Sequence, residues 1–318
     1  MSASWGFQIG GFAARVARTA KLRALAAGLS VVILAGLLPM PTQAQQRTAT
    51  EQSLAPYLPG EEFSGLIAGG LLGALNGRNE ITNQQQLTGC PPFCMPGFTP
   101  NSTANLNGSG FHGGPSAGYN VALPNVIFRN TPLIVGVQGF YSFGSSSNTI
   151  PGIPGTLGPS GIATPAIAAN DSTSMKFGNN AGIVGKIGTV IPLNGVPVMI
   201  AFDGGVGFQR IDLTLNCIGA CAANGTPAQS LTDSQTRNGS LIGGEINFPV
   251  SRLAPTIFGE SNPMIVGFQY LHGNYGTVST TLGDPAQIQI IANQRLTTDS
   301  FMGTLNFQLQ RPTAPPAQ

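Results

Sequence analysis

The side chains with reactive chemistry are few, and their spacing narrows what they can do. Four cysteines form two copies of one pattern, Cys90-x3-Cys94 and Cys217-x3-Cys221. Two such pairs have the makings of a zinc site with four thiolate ligands. They also have the makings of two disulfides, because a turn can bring residues four apart within bridging distance; four cysteines allow three connectivities. The two histidines are His112 and His272. His272 is followed by Gly273, Asn274 and Tyr275, with no serine at the spacing a nucleophile needs to reach its base. No catalytic residue is assigned. Gly182-Ile-Val-Gly-Lys-Ile lacks both the P-loop spacing and the Ser/Thr after lysine, so it offers no phosphate cradle. No cofactor and no metal are expected.

The N-terminus decides the redox setting of the cysteines. Arg15, Arg18, Lys21 and Arg23 form a basic region without an acid, followed by an uncharged, mostly apolar stretch over 24–38. Pro39-Met-Pro-Thr-Gln-Ala44 then places small residues at −3 and −1 of a cut after Ala44. This is the pattern of a secretory signal peptide, and the apolar run is short for a ~20-residue transmembrane helix. The expected division is a cleaved signal peptide over 1–44, a periplasmic segment over 45–62, a folded body over 63–310 and a Pro-rich tail over 311–318. Export favours disulfides over zinc, so the expected pairs are Cys90 with Cys94 and Cys217 with Cys221.

Cleavage removes four of the 14 basic residues and no acid, leaving 10 against 12 and a formal charge of −2. That balance argues against nucleic acid as a partner. Only 8% of the residues are charged, against about a quarter in a soluble domain. A lipid-facing surface explains the deficit, and so does a Gly-rich secreted adhesin, so the strand pattern must decide.

Short β-favouring runs alternate with Gly, Pro, Asn and Ser clusters, giving eight expected strands: 63–76, 110–123, 132–144, 175–191, 198–214, 237–250, 264–275 and 297–310. Ile200, Phe202, Val206 and Phe208 make one apolar face while Ala201, Asp203, Gly205, Gly207 and Gln209 make the other. Leu305, Phe307 and Leu309 alternate with Asn306, Gln308 and Gln310 in the same way. Long polar connections at 77–109, 145–174, 215–236 and 276–296 alternate with shorter ones at 124–131, 192–197 and 251–263. An even strand count with every long loop at one end is the arrangement of a transmembrane barrel. The expected fold is all-β, an antiparallel eight-stranded up-and-down transmembrane barrel. Gly65, Gly69 and Gly73 then share one strand face and give bulky neighbours room inside a narrow barrel.

The motifs resemble the opacity and outer-membrane immunogenic protein family of α-proteobacteria, from about Phe63 to Leu309. Phe63-Ser-Gly-Leu-Ile-Ala-Gly-Gly stands where that family has an aromatic-rich first strand ending in a glycine pair. Gly110-Phe-His-Gly-Gly-Pro-Ser-Ala-Gly-Tyr-Asn matches its second strand, Gly182-Ile-Val-Gly-Lys-Ile-Gly its fourth, and Gln269-Tyr-Leu-His-Gly-Asn-Tyr-Gly its seventh. Two features depart from the family: the chain ends on Arg311-Pro-Thr-Ala-Pro-Pro-Ala-Gln318 rather than an aromatic, and the mature part has no tryptophan. The resemblance implies a divergent member, located in the cell outer membrane among lipid and lipopolysaccharide and inserted by the outer-membrane assembly machinery.

Strand alternation also predicts what fills the lumen. A hairpin centred between Asn194 and Gly195 sets Lys186 opposite Asp203, both pointing inward. Glu245, Gln138, Gln269, Asn306 and Asn120 fall at similar heights, so these seven residues should form one polar layer, a plug rather than a conduction path, with Lys186 contacting Asp203 and Glu245 as a second acid. The expected role is a small, surface-exposed structural barrel whose long loops contact the environment, a host or neighbouring cells. The alternatives are a narrow channel, a lipid-modifying enzyme hinging on His272, and a soluble secreted β-protein.

Overall fold

The computed structural model describes residues 60–86, 101–128, 131–154, 171–218, 228–253, 257, 263–283 and 289–310. Nine strands follow a short 3-10 turn at Glu61–Phe63: β1 (Gly65–Gln86), β2 (Ser102–Phe128), β3 (Thr131–Gly144), β4 (Ser146–Pro151), β5 (Ser172–Leu193), β6 (Val196–Cys217), β7 (Gln229–Pro249), β8 (Met264–Gly283) and β9 (Gln289–Gln310). Apart from β3 and β4, neighbours in the chain pair antiparallel, β1 pairs with β9, and β3 pairs with β5. That last pairing closes the ring. β3 and β4 are one stave broken at Ser145, so the nine segments make eight staves of an up-and-down barrel.

The pairing itself gives the tilt. A hydrogen-bonded row that leaves Asn120 on β2 passes Gly136, Lys186, Asp203, Gly243, Leu271, Ser300 and Leu75 and comes back to β2 at Gly110. The return is displaced by 10 residues toward the end of the barrel that holds the longer connections. With ~3.3 Å per residue and ~4.8 Å between strands, that stagger tilts the staves by about 40°. Each step along a row climbs roughly one and a quarter residues, so residues opposite each other in a pair are not at the same height.

Burial alternates along each strand, dividing outside from inside. Around the lower part of the barrel the outward residues are large and apolar: Leu72, Tyr119, Val137, Ile187, Phe202, Phe268, Phe307 and others stand exposed. Phe111, Phe143, Phe208, Tyr270 and Phe301 edge this belt at the top. Above it the outward positions become polar, as in Arg78, Glu80, Asn105, Arg210, Thr232, Ser234 and Thr236.

The strands run further than expected. Within the connections read as long polar loops, residues 77–86, 102–109, 146–151, 172–174, 215–217, 229–236, 276–283 and 289–296 are all strand. β1 alone has 22 residues, roughly 55 Å along the barrel axis at that tilt, while a membrane barrel's apolar band is about 25 Å tall. The upper half is not closed by pairing. The β7–β8 ladder stops at Ser240–Asn274, and among the described residues no ladder joins β2 to β4. The sheet therefore splits above the belt into two, β2-β1-β9-β8 and β4-β5-β6-β7. Their inner faces pack on one apolar core that includes Leu75, Ile81, Leu106, Ile290 and Leu296 from the first and Met175, Phe177, Ile211, Leu213 and Leu231 from the second. A barrel below thus continues as a β-sandwich above.

Candidate functional site

The lumen at the height of the belt is filled by the predicted polar residues, all of them buried: Asn120, Gln138, Lys186, Asp203, Glu245, Gln269 and Asn306. Lys186 and Asp203 are register partners across β5 and β6. The expected direct contact between them is replaced by another. Lys186 Nζ lies 2.7 Å from Glu245 Oε1 and donates to Gln138 Oε1 at 2.8 Å. Asp203 Oδ2 instead accepts from Gln269 Nε2 at 2.9 Å. The climb of the rows is the reason. Gly243 is two steps along the row from Lys186 and sits above it; the level residue on β7 is about two further on, which is Glu245. Gln138 is level on β3 by the same count. Asn120 and Asn306 bond elsewhere: Asn120 Nδ2 donates to Phe63 O at 3.0 Å, and Asn306 Oδ1 accepts from Ser116 Oγ at 3.2 Å.

Apolar side chains close the lumen on both sides of this layer. Phe63, Ile67, Ile134, Val190, Met199 and Ile265 pack together below it. Val184, Leu241 and Leu271, with Phe140, pack above it. Asn180, Gln209, Tyr275 and Arg237 then form a second buried polar tier under the sandwich core. An ion crossing the barrel would meet three apolar layers and two charged or amide-rich ones, with side chains filling an eight-stranded interior as its size allows.

The outer wall holds a second cluster, at the top edge of the belt. His272 on β8 and Asp299 on β9 are register partners facing outward, and His272 Nδ1 lies 2.9 Å from Asp299 Oδ1. Tyr270 Oη donates to the same oxygen at 2.8 Å. Arg78 Nη2, on β1, stands 3.8 Å from Asp299 Oδ2. Sequence reasoning singled out His272 but missed Asp299. Its signal was present: Asp299 shares the outward face with Phe301, Leu305 and Phe307, so a carboxylate on that row stood out. What was lacking was the β8–β9 register that brings it to His272.

The cysteines are only partly in view. Cys217 closes β6, buried and disulfide-bonded; Cys90, Cys94 and Cys221 lie outside the described residues, as do 1–44, 45–59 and 311–318.

No family model matches this chain, and no curated protein matches it. Among solved structures, it is similar to the attachment invasion locus protein Ail of Yersinia pestis, at 10% identity over 77% of this chain and 99% of that one, TM-score 0.32. It is similar to the outer membrane protease OmpT of Escherichia coli at 9% identity over 77% and 97%, TM-score 0.39. Neisserial surface protein A aligns at 10% identity over 76% and 99%, TM-score 0.31. Likenesses this distant carry no functional weight; the strand pairing above is what defines the barrel.

Proposed function

We propose that the mature chain is a sealed outer-membrane anchor that holds a β-sandwich and its connecting tips outside the cell, where they contact a host, neighbouring cells or the environment. It is read as a divergent branch of the opacity family, on the motifs given above. The observation that carries the reading is the coincidence of two patterns. Large outward apolar residues concentrate in the lower half of the strands, while the inner faces are stoppered by apolar layers both below and above a buried ion pair. A lipid-facing wall explains the first, because charge on that face is penalised. An anchor rather than a conduit explains the second. The channel alternative needs a continuous polar path, and Phe63, Ile134, Val184, Leu241 and Leu271 stand across it.

The test is electrophoretic and electrical. Protein extracted from a membrane fraction should migrate differently in SDS before and after boiling, as folded barrels do, and should give no large steady conductance in a planar bilayer. A single boiling-independent band would remove the barrel anchor, and a stable open pore would remove the seal.

A further inference from the structure

The outer-wall cluster has the parts of a hydrolytic site rather than of a simple rim contact. Asp299 Oδ1 meets both Tyr270 Oη and His272 Nδ1 at hydrogen-bond distance, and Arg78 stands 3.8 Å from Oδ2 as a looser ion partner. A carboxylate that accepts the Nδ1 proton fixes the imidazole tautomer and leaves the Nε2 lone pair free. The imidazole is part-exposed on the outward face. It sits in the tier of Tyr270 and Phe301, whose rings meet at 4.9 Å where the belt ends, so in a bilayer it lies where hydrocarbon gives way to headgroups. Lipid acyl esters occupy that boundary. Directly below the aromatic pair a shallow open groove of about 530 Å³ runs over Gly70 and Gly303, walled by Leu72, Phe268 and Leu305. Gly70 and Gly303 form its floor, as Gly139, Gly185, Gly204 and Gly244 leave the same outward face low elsewhere.

We propose that His272 is a general base, positioned by Asp299, for hydrolysis of an acyl ester of a lipid in the outer leaflet, whose chain lies in the Gly70–Gly303 groove. This rests on the reading that the belt sits in a bilayer. The nucleophile is taken as water; Ser240, diagonal to His272 on the outward face of β7, is the competitor, and Ser240→Ala should leave the rate unchanged. His272 Nε2 takes a proton from water as its oxygen bonds to the ester carbonyl carbon, and the carbonyl electron pair moves onto oxygen. Collapse breaks the bond to the alcohol oxygen, which receives the proton from the imidazolium. Fatty acid and alcohol leave, and no redox partner is needed.

The test uses the full mature chain, folded in detergent and mixed separately with phosphatidylethanolamine vesicles and with lipopolysaccharide vesicles, with released fatty acid measured by mass spectrometry. Release from one arm identifies which lipid supplies the ester. His272→Gln should lower the rate by about 100-fold or more. Asp299→Asn should lower kcat by roughly 10- to 100-fold at unchanged KM, with partial rescue in Asp299→Glu. Gly303→Leu, which fills the groove without touching the cluster, should raise KM and leave kcat. The boiling-dependent gel shift is read for every variant. A chain that shows the shift but releases fatty acid from neither lipid overturns this proposal alone, as does release that survives His272→Gln. A chain without the shift overturns the membrane reading first.

Discussion

Lys186 and Asp203 face each other in the β5–β6 ladder, yet the lysine bonds Glu245 on the next strand at 2.7 Å. Tilt separates partners in register from partners in height, and the two carboxylates divide the work: Glu245 takes the ammonium and Asp203 takes the Gln269 amide.

That division predicts a graded response in denaturant unfolding of the refolded barrel. Glu245→Gln should cost about 1–3 kcal/mol, because Asp203 is near enough to take over the charge. Glu245→Gln with Asp203→Asn should cost about 3–5 kcal/mol, the range for stranding a buried charge. Lys186→Met with Glu245→Leu and Asp203→Asn should cost less than the double acid removal, since no uncompensated charge of either sign remains. Equal costs for the single and double acid variants would show that Asp203 does not sense Lys186.

Orientation is tested with membrane-impermeant maleimide on intact cells. A cysteine at Ser234, on the exposed outward face of β7 above the belt, should label at once. One at Leu193, at the end of β5 and exposed below the belt, should label only after the outer membrane is opened. The reverse pattern would invert the barrel.

The hairpin at that lower end has its own signature. Leu193 pairs with Val196, and Asn194 and Gly195 both have positive φ, 50° and 83°. This is the two-residue turn whose twist suits antiparallel strands. A Cβ on Gly195 would meet nothing within 4 Å, so Gly195→Ala tests conformation alone. It should cost about 1–2 kcal/mol, measured by the same unfolding curves; a neutral result would mean the turn relaxes.

The Asn194–Gly195 dipeptide was the most legible feature of the fold, because turn chemistry fixes a register and the register fixes which side chains share a face. It put Lys186 opposite Asp203 in β5–β6 from sequence alone. The apolar belt was legible too, through Ile200, Phe202, Val206 and Phe208. The upper strands were not. Above the belt the outward positions are polar, so Thr232, Ser234 and Thr236 look like loop, and only the sparser inward residues Leu213, Leu215 and Leu231 betray the strand. The His272–Asp299 pair was hidden for a different reason: it depends on the β8–β9 register, and no tight turn in the sequence announces it.

The cysteines make the last prediction. Digestion without reductant should yield peptides spanning 90–94 and 217–221, each two hydrogens lighter than its reduced form. A peptide joining the two segments would establish cross-pairing instead. Reduction should cost the barrel little, well below the ~3 kcal/mol expected for a 15-residue loop, because each local bridge closes a very short one.

The gaps between β7 and β8, and between β2 and β4, give this molecule something a closed ring lacks. A barrel wall spends all its backbone donors and acceptors on its own neighbours. Among the described residues, four strands above the belt have no ladder on one side, two at each gap, and such sides are templates for a further strand. Gln235 Nε2 reaches 2.6 Å to Thr280 Oγ1 across one of them, a side-chain latch where a ladder would otherwise run. Among the described residues the ladders close into a ring through the belt, while above it two gaps are left open to pairing.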